Sequence, residues 1–186
     1  EYPEVFTIAD AKRGDIGNTS KMYAEAFLNQ LNFDSVTVAP YMGEDSITPF
    51  LEYEGKWSIV LGLTSNVGAK DIELLKLEDG RYVFEAAMTA TANLGSSEQI
   101  MFVVGATQTE YFERIRKAAP DHFFLIPGVG AQGGQLTDLK GLMTPETGIL
   151  VNSSRQIIYA SSGEDFAEAS AHEAEKLQIQ MSEMMV

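Results

Sequence analysis

The chain has 186 residues, 45% of them hydrophobic and 22% charged, which suits one globular domain with a substantial core and excludes disorder as the default. Thirteen Lys plus Arg against 27 Asp plus Glu give a formal charge of −14, a field that opposes nucleic acid and anionic membrane surfaces, so any anionic ligand needs a local site. The absence of cysteine removes disulfides, thiolate metal sites and a thiol nucleophile and fits a reducing cytoplasm; no run of about 18 apolar residues could span a bilayer, and the first residues lack a signal-peptide pattern.

A first strand is predicted over Val5–Asp10, running into Asp10-Ala11-Lys12-Arg13-Gly14-Asp15-Ile16-Gly17-Asn18-Thr19. Strand alternation points Asp10 and Lys12 the same way, while Asp15 falls in the following turn. A carboxylate beside an ammonium keeps both ionised, and a positioned Lys can deliver a proton to a developing carbanion. The plainer alternative is a surface ion pair at a strand end. A helix over Thr19–Leu31, a strand over Ser35–Ala39 and a helix over Ser46–Tyr53 follow. The strand Ser58–Leu63 ends in Thr64-Ser65-Asn66, polar groups that could read the edge of a heterocycle or simply form a turn. A helix over Val83–Asn93, a strand over Ile100–Gly105 and a helix over Glu110–Ala118 come next.

The strand Phe123–Ile126 leads into Pro127-Gly128-Val129-Gly130-Ala131-Gln132-Gly133-Gly134. There the glycines would let backbone approach an anion, and a following helix N-terminus would aim N–H groups at it, unless this is an ordinary Gly-rich turn. The strand Gly148–Asn152 ends at Asn152-Ser153-Ser154-Arg155, where a guanidinium is available for bidentate contact with phosphate or for solvent. A last helix, Phe166–Met185, carries apolar Phe166, Ala174, Leu177, Met181 and Met184, read as core packing. His122 and His172 lie in no motif and read as structural or solvated.

Near-continuous apolar strands alternating with helices argue for a parallel sheet covered by helices, either doubly wound or closed as a barrel. Six strand–helix units fall short of the eight of a (β/α)₈ barrel, whose typical length is about 250 residues. On the barrel reading, residues 1–186 form a single barrel domain holding strands three to eight, with the first two βα units absent. The Gly-rich loop and Arg155 then follow strands seven and eight, where barrels often bind phosphate.

The segment Asp10 to Thr19 resembles orotidine 5′-monophosphate decarboxylase, a family that carries Asp-x-Lys-x-x-Asp-Ile and then Thr at this spacing. Pro40-Tyr41-Met42-Gly43-Glu44-Asp45-Ser46 with Pro49-Phe50-Leu51, Thr64-Ser65-Asn66, Val103-Val104-Gly105-Ala106-Thr107, Pro127 to Gly134 and Asn152 to Arg155 resemble its longer, bacterial branch. The resemblance implies a (β/α)₈ TIM barrel that converts orotidine 5′-monophosphate to uridine 5′-monophosphate in pyrimidine synthesis, with no metal and no organic cofactor. It further implies that Asp10 faces the substrate carboxylate and Lys12 protonates C6. Asp15, Ile16 and Thr19 would reach into the partner's active site of a homodimer. Ser65 would meet the pyrimidine edge, Gln132 would bridge base and phosphate, and Arg155 would grip the phosphate, with Pro127, Gly130 and Ser154 nearby. The implied partners are a nucleotide substrate and a second copy of the chain, with neither nucleic acid nor membrane. Two other readings stay open: a metal-dependent sugar-phosphate decarboxylase or aldolase of the same superfamily, and an inactive nucleotide-binding fragment.

Overall fold

The computed structural model describes residues 2–130 and 133–184. Among the described residues six strands form one sheet: β1 (Ile8–Arg13), β2 (Ser35–Val38), β3 (Trp57–Leu61), β4 (Ile100–Val103), β5 (Phe124–Pro127) and β6 (Ile149–Asn152). Every neighbouring pair is parallel and the strand order follows the chain, β1-β2-β3-β4-β5-β6. A doubly wound sheet reverses its order at a switch point, whereas this one never does, so the arrangement is that of a barrel wall left open between β1 and β6.

Between the strands lie α1 (Gly17–Ala24), α2 (Glu44–Ile47), α3 (Val83–Ala92), α4 (Phe112–Ala118), and after β6 come α5 (Ser154–Ile158) and α6 (Phe166–Met184). Alternation divides the sheet residues between two faces. Val36, Val38, Val60, Ile100, Phe102, Phe124 and Ile126 point to the helices and are buried with Leu28, Phe50, Phe84, Met88 and Ile115 in the main core. Ile59, Met101, Val103 and Leu125 point the other way, packed with Ile8, Leu61 and Leu150. Burial on both faces is why these strands read as continuous apolar runs.

Several elements depart from the sequence expectations. The first strand lies at Ile8–Arg13, not Val5–Asp10, so the charged residues sit inside it. The expected Thr19–Leu31 helix begins at Gly17 and widens into a π-helical segment over Glu25–Gln30. The expected Ser46–Tyr53 helix is a short α-helical turn followed by a 3₁₀ segment, Thr48–Glu52; Pro49 has no N–H to continue the α ladder. After the Gly-rich loop comes a 3₁₀ segment, Leu136–Leu142, in place of an α-helix. In α6, Leu177, Met181 and Met184 pack on the core as expected, but Phe166 and Ala174 are exposed. His122 is buried and His172 exposed. No helix among the described residues is long and apolar enough to cross a membrane.

Candidate active site

The inner face of the sheet floors a cavity of about 830 Å³, bounded by Ile8, Leu61, Val103, Leu125 and Leu150 below and by Asp10, Lys12, Thr64, Ser65, Asn66 and Glu73 around its rim. The Asp10–Lys12 pair is made by a bulge as well as by alternation. Ala9 pairs with Val36 and Arg13 with Val38, so Asp10, Ala11 and Lys12 stand opposite Thr37 alone. Lys12 adopts φ 45°, a left-handed conformation costly for a side chain of its kind, of order 1–3 kcal/mol, and held only where the surroundings enforce it. Thr37 is the enforcing group. Fully buried on β2, its Oγ1 accepts the Lys12 backbone N–H at 2.9 Å and lies 3.0 Å from Asp10 Oδ1, to which it donates. Lys12 Nζ then meets the same Asp10 Oδ1 at 2.6 Å. Both side chains are more than half exposed, so the pair is worth little as a stabiliser and remains available for chemistry.

A second cavity, about 160 Å³, is lined by Pro127, Gly128, Val129, Asn152, Ser153, Ser154 and Arg155. Pro127 and Asn152 also border the first, so the two adjoin there. Its back wall is braced by the buried Ser153, whose Oγ lies 3.1 Å from the Val129 carbonyl and joins the loops after β5 and β6. Gly130 has φ 75°, a backbone conformation that side-chain-bearing residues rarely adopt, so glycine suits the turn.

Of the residues singled out from sequence, Asp10, Lys12, Ser65 and Pro127 gather at the large cavity, and Pro127, Ser154 and Arg155 at the small one, with Gly130 beside it. Asp15, Ile16 and Thr19 border neither. Asp15 caps the next residue by accepting the Ile16 N–H at 2.8 Å, while Ile16 and Thr19 are exposed at the start of α1. Gln132 lies outside the described residues. Sequence reasoning missed Thr37 and Glu73. A polar residue inside the buried Ser35-Val36-Thr37-Val38 run is the one signal that pointed to Thr37; Glu73 had none. Among the described residues, no group of three or more His, Asp or Glu side chains is placed to hold a metal ion.

Residues 2–170 match the family model described as Orotidine 5′-phosphate decarboxylase / HUMPS family. The chain belongs to this family. It is 55% identical over 185 residues to the orotidine 5′-phosphate decarboxylase of Phocaeicola vulgatus, covering 99% of this chain and 68% of the relative. Its identity to the enzyme of the same name from Flavobacterium johnsoniae is also 55% over 185 residues, covering 99% and 67%. The solved structure of Leishmania donovani OMP decarboxylase superposes with a TM-score of 0.72 at 34% identity, covering 89% of this chain and 64% of that one. The chain thus spans about two thirds of the length of the relatives it matches.

Proposed function

We propose that this site is that of a cytoplasmic carboxy-lyase that decarboxylates orotidine 5′-monophosphate to uridine 5′-monophosphate in de novo pyrimidine synthesis, without metal or organic cofactor. The observation that carries the reading is the adjacency of the two cavities: a Lys–Asp pair stands in one, Arg155 and a Gly-rich loop in the other, and Pro127 and Asn152 border both. A nucleotide laid across that junction puts its phosphate at Arg155, the residue type suited to bidentate phosphate contact. Its base then lies over the apolar floor with Ser65 at its edge.

In this pose Asp10 faces the departing carboxylate and Lys12 faces C6. Loss of carbon dioxide leaves an electron pair at C6; the Lys12 ammonium stabilises it as it develops and then transfers its proton there, giving the uridine product and a neutral amine that regains a proton from solvent. Thr37 fixes both groups beforehand, so little reorganisation is needed when charge develops. Phosphate binding, remote from the broken bond, can be applied to orienting the reacting end. Gln132 would bridge base and phosphate.

The active unit in this reading is a homodimer with shared sites. Asp15, Ile16 and Thr19 lie outside their own chain's cavities, and the apolar side chains Ile16, Met22, Tyr41, Met42, Val67 and Ile72 are exposed. The six strands correspond to strands three to eight of a (β/α)₈ barrel, a numbering supported by the phosphate-sized cavity between the loops after β5 and β6 and by the greater length of the relatives.

The test is decarboxylation itself, followed by conversion of orotidine 5′-monophosphate to uridine 5′-monophosphate in the intact protein. Lys12→Ala should reduce turnover by at least about a hundredfold while uridine monophosphate still binds, since the proton donor is lost and the phosphate grip is not. Turnover within tenfold of the parent would reject this role for Lys12.

A further inference from the structure

The turn Thr64-Ser65-Asn66 leaves the end of β3 and carries the side chain that the proposed function sets against the pyrimidine edge. It is held from three directions. Glu73, half-buried on the cavity wall, accepts the Thr64 backbone N–H on Oε2 at 2.7 Å and the Thr64 hydroxyl on Oε1 at 2.8 Å. That hydroxyl also lies 2.6 Å from Asn66 Oδ1, so its one proton is shared along the turn. From the loop after β4, Gln108 donates through Nε2 to the Thr64 carbonyl at 2.6 Å. Beneath, Gly105 has no side chain because a Cβ there would lie 2.7–2.9 Å from Ser65 Cβ, N and Cα.

Glu73 is itself fixed by the protein core. Its carbonyl accepts the N–H of Phe84 at 3.0 Å, Phe84 is fully buried at the start of α3, and the adjacent Leu74 packs against the main core. The Glu73 backbone is therefore fixed, and its carboxylate ties the base-reading turn through a charge-assisted bond from the Thr64 N–H, roughly twice as strong as a neutral one, and through the hydroxyl proton that Thr64 divides between Glu73 and Asn66. Both of its oxygens face Thr64, so the residue acts on the ligand through the turn.

We propose that Glu73 is a positioning residue for the decarboxylation, setting Ser65 against the base; the inference rests on the functional reading above. A displacement of about 1 Å at a reacting or recognition group can cost on the order of a hundredfold in rate.

The test is a double-mutant cycle in the intact protein with Glu73→Ala, Ser65→Ala and the pair. Each single change should lower kcat/KM by about ten- to a hundredfold, and the double variant should lie within about twofold of the weaker single, because both remove the same contact. Glu73→Gln keeps one acceptor at the same reach and should recover part of the loss; it also serves in the cycle if Glu73→Ala does not fold. Ribose 5-phosphate, which presents the phosphate without a base, should inhibit parent and Glu73 variants equally. A Glu73→Ala variant within twofold of the parent overturns the proposal, as does a fully additive double variant or an equal weakening of ribose 5-phosphate. A parent that leaves orotidine 5′-monophosphate unchanged fails the functional reading, and takes this role with it, before any variant is compared.

Discussion

At the scale of single residues, the Asp10–Lys12 pair depends on a side chain that makes no contact with it in sequence. Thr37 serves three neighbours through one oxygen: the Lys12 N–H, the Asp10 carboxylate and, at 3.5 Å, the Ala9 carbonyl. Its hydroxyl has one proton, and the shorter distance to Asp10 decides where it goes. Valine in its place has nearly the same shape but removes the acceptor of the part-buried Lys12 N–H. The left-handed φ of Lys12 then loses the contact that enforces it. Thr37→Val should therefore lower kcat by about ten- to a hundredfold, more than it changes KM, and Thr37→Ser should restore most of the rate. Steady-state kinetics with thermal unfolding on the same samples check this. A Thr37→Val enzyme that is destabilised but turns over at the parental rate would reduce Thr37 to a packing residue.

At the scale of elements, the join between α4 and β5 supplies stability and not chemistry. Arg116, in the last turn of α4, donates through Nη1 to the carbonyls of Ala119, Pro120 and His122 and through Nη2 to that of Leu142, with its guanidinium 4.1 Å from the centroid of Phe124. Burial pushes the Arg116 pKa down to about 10, which leaves it charged at neutral pH. His122 lies beside it, edge-on to Phe102, with no hydrogen-bond partner on either ring nitrogen among the described residues. Burial is the main cause that holds its pKa below the ordinary histidine value, the Arg116 cation adds to it, and Asp121 opposes both. The sign follows: near and below pH 6.5 the unfolded chain takes up a proton that the folded chain resists, so this group's contribution to stability is present above that range and is lost as pH falls through it. His122→Phe should make the midpoint of thermal unfolding depend less on pH between about 7 and 5. Parallel profiles for parent and variant would assign the acid sensitivity to other groups. The same elements show what could be read in advance. The runs Ser58–Leu63 and Ile100–Gly105 are apolar because both faces are covered, and that pattern is local; so is the period that puts Asp10 and Lys12 on one side. The bulge in β1, the π-helical segment after α1 and the roles of Thr37 and Glu73 arise from contacts between separate elements, which no local periodicity encodes.

At the scale of the whole molecule, a chain of net charge −14 is proposed to bind a nucleotide with two anionic groups, a carboxylate and a phosphate, and the cations it offers, Lys12 and Arg155, stand at the two adjoining cavities. A third charged residue of the motif, Asp15, is turned away from both, and the proposed two-fold dimer explains the placement by giving each pocket Lys12 from one chain and Asp15 from the other. Lys12→Ala and Asp15→Ala should each be nearly inactive alone. When the two variants are unfolded together and allowed to reassociate, about half of the dimers should be mixed by random pairing, and each mixed dimer holds one pocket with both parental residues and one with neither. Roughly a quarter of all pockets should then regain parental turnover under that pairing. Native mass measurement establishes that subunits exchanged, and the recovered rate should scale with the mixed fraction as the input ratio is varied. If verified mixed dimers remain as inactive as the two parents, Asp15 acts within its own chain, and its position outside the cavities would have to be explained by a movement of the segment 14–16 between β1 and α1 instead of by a partner.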